Sequence, residues 1–317
     1  MDSPSANQFE PHVRFLTWAG IITTLSLVLV NQLAIPLMIP YDGALYLQIA
    51  RDMMHGKQLF VDVIDLNPPL ISYLSMLPVK AAESLNIHPI ITLKLAVVLA
   101  LALSVVLLTV LLRHRLKGQD WAVYLFFILA FVLSSNAVTD AFSQREHLFF
   151  ILFMPFFAVR YLRWQTDDAV RRLPSVLAGA LAGLGLCLKP YFVFPPLLLE
   201  LFWLAWKRQW RPLFQNEVLA CISVGLGYAL HLAILPAGTK QAFFDFVVPL
   251  TVHGYGAYNG KLADVALMSE YDYLRSTVLL VVLLTLIYVR RHPLLPVLHA
   301  EGLGQVLLGG IDAHARR

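Results

Sequence analysis

Eight side chains in this sequence have the types and placement to do chemistry at a membrane surface: Asp42, Tyr46, Asp140, Arg145, Glu146, His147, Lys189 and His253. A positioned carboxylate can take a proton from an attacking hydroxyl. Cations can stabilise negative charge as it develops on a leaving group. Arginine does so through a fork that engages oxygens in pairs, and lysine as a point charge. Asp42 sits in "PYDGALYLQIARDMMHG" (40–56), just after the first long apolar run. Asp140, Arg145, Glu146 and His147 fall within "TDAFSQREH" (139–147), Lys189 within "LCLKPYFVFPPLLL" (186–199), and His253 opens "HGYGAYNGK" (253–261). Several of these stand at the ends of apolar runs, and ionisable groups near membrane depth are costly enough to mark functional or paired sites.

The elements that must position them are membrane helices. Of 317 residues, 58% are hydrophobic and only 14% charged, against roughly 25% charged in soluble domains. At about 20 apolar residues per crossing, spans are predicted near 15–37, 90–113, 121–136, 147–163, 174–190, 191–206, 216–235 and 276–290. The first is too long for a signal-peptide core and is read as a retained span. Residues 68–84, opened by Pro68-Pro69, are predicted to form a helix on or partly in the membrane. The fold class is therefore all-α and polytopic, with about eight transmembrane helices and interfacial amphipathic helices in the first outer loop, 38–89. Residues 1–291 form the membrane module and 292–317 a short tail. Cys187 and Cys221 lie inside apolar segments and make no disulfide or metal framework. No Walker loop, HExxH helix or nucleic-acid module is present.

Positive charge gives the sidedness, because short cytoplasmic loops retain lysine and arginine. Arg113, Arg115 and Lys117, then Arg160, Arg163, Arg171 and Arg172, then Lys207, Arg208 and Arg211, then Arg290 and Arg291 fall at one face of the eight-span arrangement. That face and both termini are expected in the cytoplasm. The opposite face receives the 38–89 and 137–146 loops, the Lys189-Pro190 turn and the 236–275 loop, and with them the chemistry.

At about 100° per residue, Gln48, Arg51, Asp52 and His55 share one arc of a helix whose other positions are apolar. An interfacial helix is predicted, its apolar side in the lipid boundary, ended by Gly56. Asp42 then stands where a lipid headgroup phosphate would be. Other readings remain open at this point: Asp42 as an N-cap, Arg145 and Glu146 as a mutual pair capping a span, Lys189 snorkelling to the interface, and most outer acids as solvated loop charges. His231 is expected to be packed and hydrogen-bonded. "GALAGLGL" (179–186) and "GLGY" (225–228) supply small residues for close helix packing.

The acid after the first span, the amphipathic helix and "DLNPPLISYL" (65–74) together resemble the GT-C superfamily of polytopic glycosyltransferases. The resemblance is to the branch of bacterial aminoarabinose lipid A transferases and protein O-mannosyltransferases. Asp42 matches that branch's acid and Tyr46 its aromatic. Ala50, Arg51, Met53 and Gly56 match its helix, and Pro68, Pro69, Leu70 and Tyr73 its last segment. Gly43 stands where a second acid is usual. A divalent cation is therefore not supported by a paired-acid motif, and no metal ligands are assigned.

The resemblance implies transfer of a sugar from a polyprenyl-phosphate donor to a lipid, glycan or protein acceptor. The reaction would take place at the outer face of the bacterial cytoplasmic membrane. Asp42 would be the base, Arg145 and Lys189 would face the phosphate, and Tyr46, His147 and His253 would shape the sugar pocket. Asp140 and Glu146 would be partners in the second outer loop. A single base predicts inversion at the anomeric carbon. Relatives have more spans, so a shortened, inactive member is a competing expectation. A lipid-linked-sugar flippase or transporter is another, although the charges crowd one face and no repeat is apparent.

Overall fold

The computed structural model describes residues 11–112, 128, 131–132, 142–165 and 170–257. The expected spans at 121–136 and 276–290 and the 292–317 tail lie largely or wholly outside them. Apart from one Leu59–Val63 bridge, regular structure among the described residues is helical. The helices are α1 (Pro11–Ala34), α2 (Tyr41–Met54), α3 (Leu70–Leu85), α4 (Pro89–Leu112), α5 (Arg145–Gln165), α6 (Arg172–Leu186), α7 (Phe194–Lys207), α8 (Asn216–Ala233), α9 (Ala237–Ala242) and α10 (Val248–Ala257). A 3-10 turn, Pro190–Val193, leads into α7, and a π turn, Phe243–Val247, joins α9 to α10. Two units divide the chain, residues 1–251 and 252–317. Of the second, residues 252–257 are described, and they are helical.

Among the described residues, three helical stretches are long and apolar enough to cross a bilayer: Thr17–Ala34, Pro89–Leu112 and Asn216–Ala233. The molecule is all-α and polytopic. Helix α5 has 21 residues but carries charge at both ends, whereas α6 and α7, expected as spans, have 15 and 14. Each of these two is shorter than the roughly 20 residues of a full crossing. Helix α8 turns Leu219, Ile222, Leu226 and Leu230 outward at helical spacing, an apolar stripe suited to lipid.

Helix α4 is the hub, packed on α1, α3 and α5, and the series continues from α5 to α6 and from α6 to α8. Its core residues Val97, Leu101, Val105 and Leu108 bury against Ile21 and Val28 of α1 and Ile151 of α5. Polar ties fill in where proline or a helix end leaves a carbonyl unpaired. Pro155 has no N–H for the Ile151 carbonyl one turn back, and Ser104 Oγ of α4 donates to that carbonyl at 2.8 Å. Lys94 is buried in α4, and its Nζ donates to the carbonyls of Gln32 and Ile35 at 2.8 and 2.7 Å. It thereby satisfies the frayed end of α1 and secures the chain that leads into α2.

Helix α2 begins after Pro40, whose fixed φ of −54° suits a helix entry. Gly43, Tyr46, Leu47 and Ala50 form its buried face, at the i, i+3, i+4, i+7 spacing of one stripe. That stripe closes on protein, chiefly α3 and α4, where the sequence pattern suggested lipid. Interior rather than bilayer apolar surface surrounds it because α3 folds back across the same face. Gly56, at φ +92°, ends the helix: its N–H bonds the Met53 carbonyl at 3.0 Å and that of Lys57 the Asp52 carbonyl at 3.1 Å.

The "GALAGLGL" segment is the contact surface of α6 on α8. A Cβ on Gly179 would lie 2.0 Å from the Glu217 carbonyl oxygen, and one on Gly183 would lie 2.7 Å from Val224 Cβ. The companion expectation for "GLGY" fails, since nothing lies within 4 Å of a Cβ on Gly225 or Gly227. On α8 the face presented to α6 carries Glu217, Cys221 and Val224 instead. Cys187 and Cys221 are free thiols.

Candidate active site at the start of helix α5

Five segments converge at one end of the bundle: the first turns of α2, the 59–69 loop, the start of α3, the start of α5 and the turn at 189–193. Asp42 lies in the first turn of α2, half-buried, where the helix dipole favours a negative charge. It is not the N-cap, which is Pro40, and it makes no capping hydrogen bond. Among the described residues its carboxylate has neither a hydrogen-bond partner nor an ion pair. One turn on, Tyr46 is buried, with the Arg145 guanidinium 5.8 Å from its ring centre. Burial holds the Tyr46 hydroxyl protonated well above the usual phenol range; Arg145 opposes this, and Asp42, Asp65 and Glu146 reinforce it. That list of charges places Asp42 in the same electrostatic neighbourhood as Arg145 and Glu146.

Arg145 and Lys189, the two cations expected here, are both buried but are held differently. Arg145 Nη1 donates to Asn67 Oδ1, a neutral acceptor, and its Nε has no partner. Lys189 Nζ is paired with the Glu146 carboxylate and donates to Tyr191 Oη at 2.7 Å. Its ammonium also lies 5.1 Å from the Tyr191 ring centre, a cation–π distance. Two alternatives from the sequence are thereby set aside. Arg145 and Glu146 do not pair with each other, and Lys189 does not snorkel outward. Both choose partners remote in sequence because each must be compensated inside the fold.

His147 Nδ1 accepts the Ser143 backbone N–H at 3.1 Å, which leaves Nε2 as the protonated nitrogen of the neutral ring. That Nε2, the Tyr46 hydroxyl and Ser143 Oγ are all buried without a protein partner, like Arg145 Nε. The missing second acid has a steric counterpart here. A Cβ on Gly43 would come within 2.7 Å of Ser143 Oγ and 3.0 Å of the Ile39 side chain. Asp140 lies outside the described residues. His253 belongs to the second unit and is not placed with the others.

Asp65 and Asn67 stand in the "DLNPPLISYL" segment, where the sequence pattern assigns neither of them a role in the site. Asp65 is 3% exposed. Its Oδ1 accepts the Asn67 backbone N–H at 3.1 Å and Asn67 Nδ2 at 2.6 Å, and its Oδ2 accepts Ser72 Oγ at 3.3 Å. Desolvation pushes the Asp65 carboxyl above its ordinary value, against the pull of those bonds and of Arg145. The available signal was "DLNPPL" itself, an aspartate two residues before an asparagine and then paired prolines, the pattern of a tight Asx turn. Tyr73 and His231 meet edge to face at 5.3 Å, so His231 is packed as expected, yet its Nε2 is buried without a partner among the described residues.

The opposite end of α5 holds a second charged cluster. Arg160 bonds Glu200 through Nε at 2.5 Å and Nη2 at 2.6 Å, and Glu217 through Nη1 at 3.0 Å. Arg163 reaches Glu217 at 3.2 Å, and Ser175 Oγ donates to the same carboxylate. These arginines, read in sequence as loop charge, are internal and compensated. They link α5, α6, α7 and α8.

Among the described residues no group of three or more histidine, cysteine or acidic side chains could hold a metal ion. A family model, glycosyltransferase family 87, matches residues 66–306. No curated protein and no solved structure matches the chain.

Proposed function

The chain belongs to glycosyltransferase family 87, a GT-C family of membrane enzymes, and from that premise we propose the reaction it performs. A sugar leaves a polyprenyl-phosphate donor for the hydroxyl of an acceptor at the outer face of the cytoplasmic membrane. Asp42 takes the hydroxyl proton as the oxygen attacks the anomeric carbon. The bond from that carbon to the phosphate oxygen breaks, the electron pair leaves with the phosphate, and configuration inverts. Arg145 stabilises the departing anion.

One observation supports this reading above the others: Asp42 and Arg145, neither of them in an ion pair among the described residues, share the neighbourhood of Tyr46. The family match begins at residue 66, so Asp42 and Tyr46 precede it, and their roles rest on the resemblance of the first outer loop, which their place beside Arg145 supports. Lys189, committed to Glu146, fixes the carboxylate at the rim, where Glu146 and Tyr191 are both partly exposed and can meet sugar or acceptor hydroxyls. His147 and Ser143 line the interior.

The test follows free polyprenyl phosphate released from a panel of polyprenyl-phosphate sugars by purified protein in lipid. Wild type is expected to release it, and Asp42→Asn to release it at least about 100-fold more slowly, the lower range for loss of a general base. Equal rates would remove Asp42 from the centre of the reaction. Release by neither protein, with both folded, would favour a transporter or an inactive relative.

A further inference from the structure

Two buried cations stand at this site, and the structure treats them unequally. Lys189 is neutralised by Glu146. Arg145, equally buried, lies over the Tyr46 ring and, among the described residues, donates its hydrogen bond to the amide oxygen of Asn67. Asparagine can present either its oxygen or its NH2, and what stands on its far side decides which. On that side lies Asp65, whose carboxylate can only accept, and Asn67 Nδ2 donates to it at 2.6 Å. The amide carbonyl is thereby turned toward Arg145. Asp65 is itself locked by the Asn67 backbone N–H and Ser72, and Thr251 Oγ1 holds the intervening Leu66 carbonyl at 2.9 Å.

We infer that Asp65 is a positioning residue: through Asn67 it holds Arg145 on a neutral acceptor and so keeps the guanidinium charge available for the donor's phosphate. The inference rests on the polyprenyl-phosphate reading above. A carboxylate at position 67 would hold the arginine as firmly, but would neutralise it and oppose any anion bound there. Like Arg145 Nε, the Tyr46 hydroxyl, His147 Nε2 and Ser143 Oγ are buried without a partner among the described residues and are able to donate. Asp65 thus keeps a negative charge one amide away from the arginine instead of in contact with it.

The exchange D65N/N67D tests this, because it preserves side-chain volume, total charge and the number of hydrogen-bonding groups while moving the carboxylate onto Arg145. Binding of a polyprenyl phosphate without sugar is measured on wild type and the exchange variant in lipid nanodiscs, with melting temperature in parallel. A purely structural pair would be rescued by the exchange. The expectation is a melting temperature near that of wild type and binding weakened on the order of 100-fold. The single variant Asp65→Ala, which frees the Asn67 amide to turn, should weaken binding less than the exchange does.

Binding by the folded exchange variant equal to wild type would overturn the role of Asp65 and leave the reaction standing. Loss of the fold in the exchange would also overturn it, by showing that the order of the two side chains serves the fold. Failure of wild type to bind polyprenyl phosphate would overturn the inference. The reaction itself falls only if wild type also releases none from the sugar-loaded donors.

Discussion

Asp65, held near Arg145 through Asn67, and Asp52, in a surface pair with Lys57, are pushed in opposite directions, and pH separates them. Burial raises the Asp65 carboxyl above 3.8. The folded protein therefore keeps a proton that the unfolded chain has already released. The linked stability is fully present below pH 3.8 and is lost as pH rises through the folded value. Asp52, on the exposed arc of α2, is lowered from 3.8 chiefly by its hydrogen bond from Lys57, so its contribution is present above that pH and is lost below it. Unfolding in detergent followed from about pH 3 to 7 should show the stability of wild type relative to Asp65→Asn declining as pH rises above 3.8. A constant difference would mean that Asp65 titrates at its ordinary value. At this scale Asp42, Arg145 and Lys189 were legible because charge at the end of an apolar run is conspicuous. Asp65 was not, because it reaches Arg145 only through Asn67. The contact bridges 78 positions of sequence and no local pattern announces it.

Helices α6 and α8 show how far small-residue patterns can be trusted. Both segments carry glycines at close spacing, but only Gly179 and Gly183 lie in the contact. A methyl at 179 would strike backbone, which cannot swing aside as a side chain can. Gly179→Ala should therefore cost about 1–3 kcal/mol as overpacking and also loosen Glu217 from Arg160, Arg163 and Ser175. Gly225→Ala meets open space and should stabilise α8 by roughly 0.5–1 kcal/mol through helix propensity. Thermal unfolding of the two variants side by side decides the matter, and equal effects would refute the assigned contact face. The sequence showed that one helix in this pair must be rich in small residues. It could not show which face of α8 receives them, because α8 is apolar on several sides. Boundaries were better read: α4 was expected at 90–113 and runs Pro89–Leu112, with Pro89 setting its start. The interfacial reading of α2 misjudged what its apolar stripe touches, since amphipathic spacing reports a buried face without naming what buries it.

Across the whole molecule, α5 serves as an axis with different chemistry at its two ends. Arg145 and Arg160 are 15 residues apart, about 22 Å along a helix, comparable to most of a bilayer's hydrocarbon thickness. At the first end an arginine is left without a carboxylate and donors are left unfilled. At the second, Arg160 and Arg163 are compensated by Glu200 of α7 and Glu217 of α8. A bundle whose reactive end must admit a charged lipid gains from a rigid opposite end, since buried pairs resist removal of either partner. Five exposed cations, Arg171, Arg172, Lys207, Arg208 and Arg211, gather near that second end, whereas Arg51, Lys57, Lys80 and Lys240 are exposed elsewhere; retention of positive charge would put the second end in the cytoplasm. Single cysteines test the assignment in a Cys187→Ala, Cys221→Ala background. Tyr41→Cys stands beside Asp42, where Tyr41 is 79% exposed, and Arg208→Cys follows α7 at the other end. A membrane-impermeant maleimide applied to intact cells should label position 41 at once and position 208 only after permeabilisation. The reverse order would place the Asp42 end in the cytoplasm, where the acceptor and donor would have to be cytoplasmic too, and the outer-face reaction would fall with it.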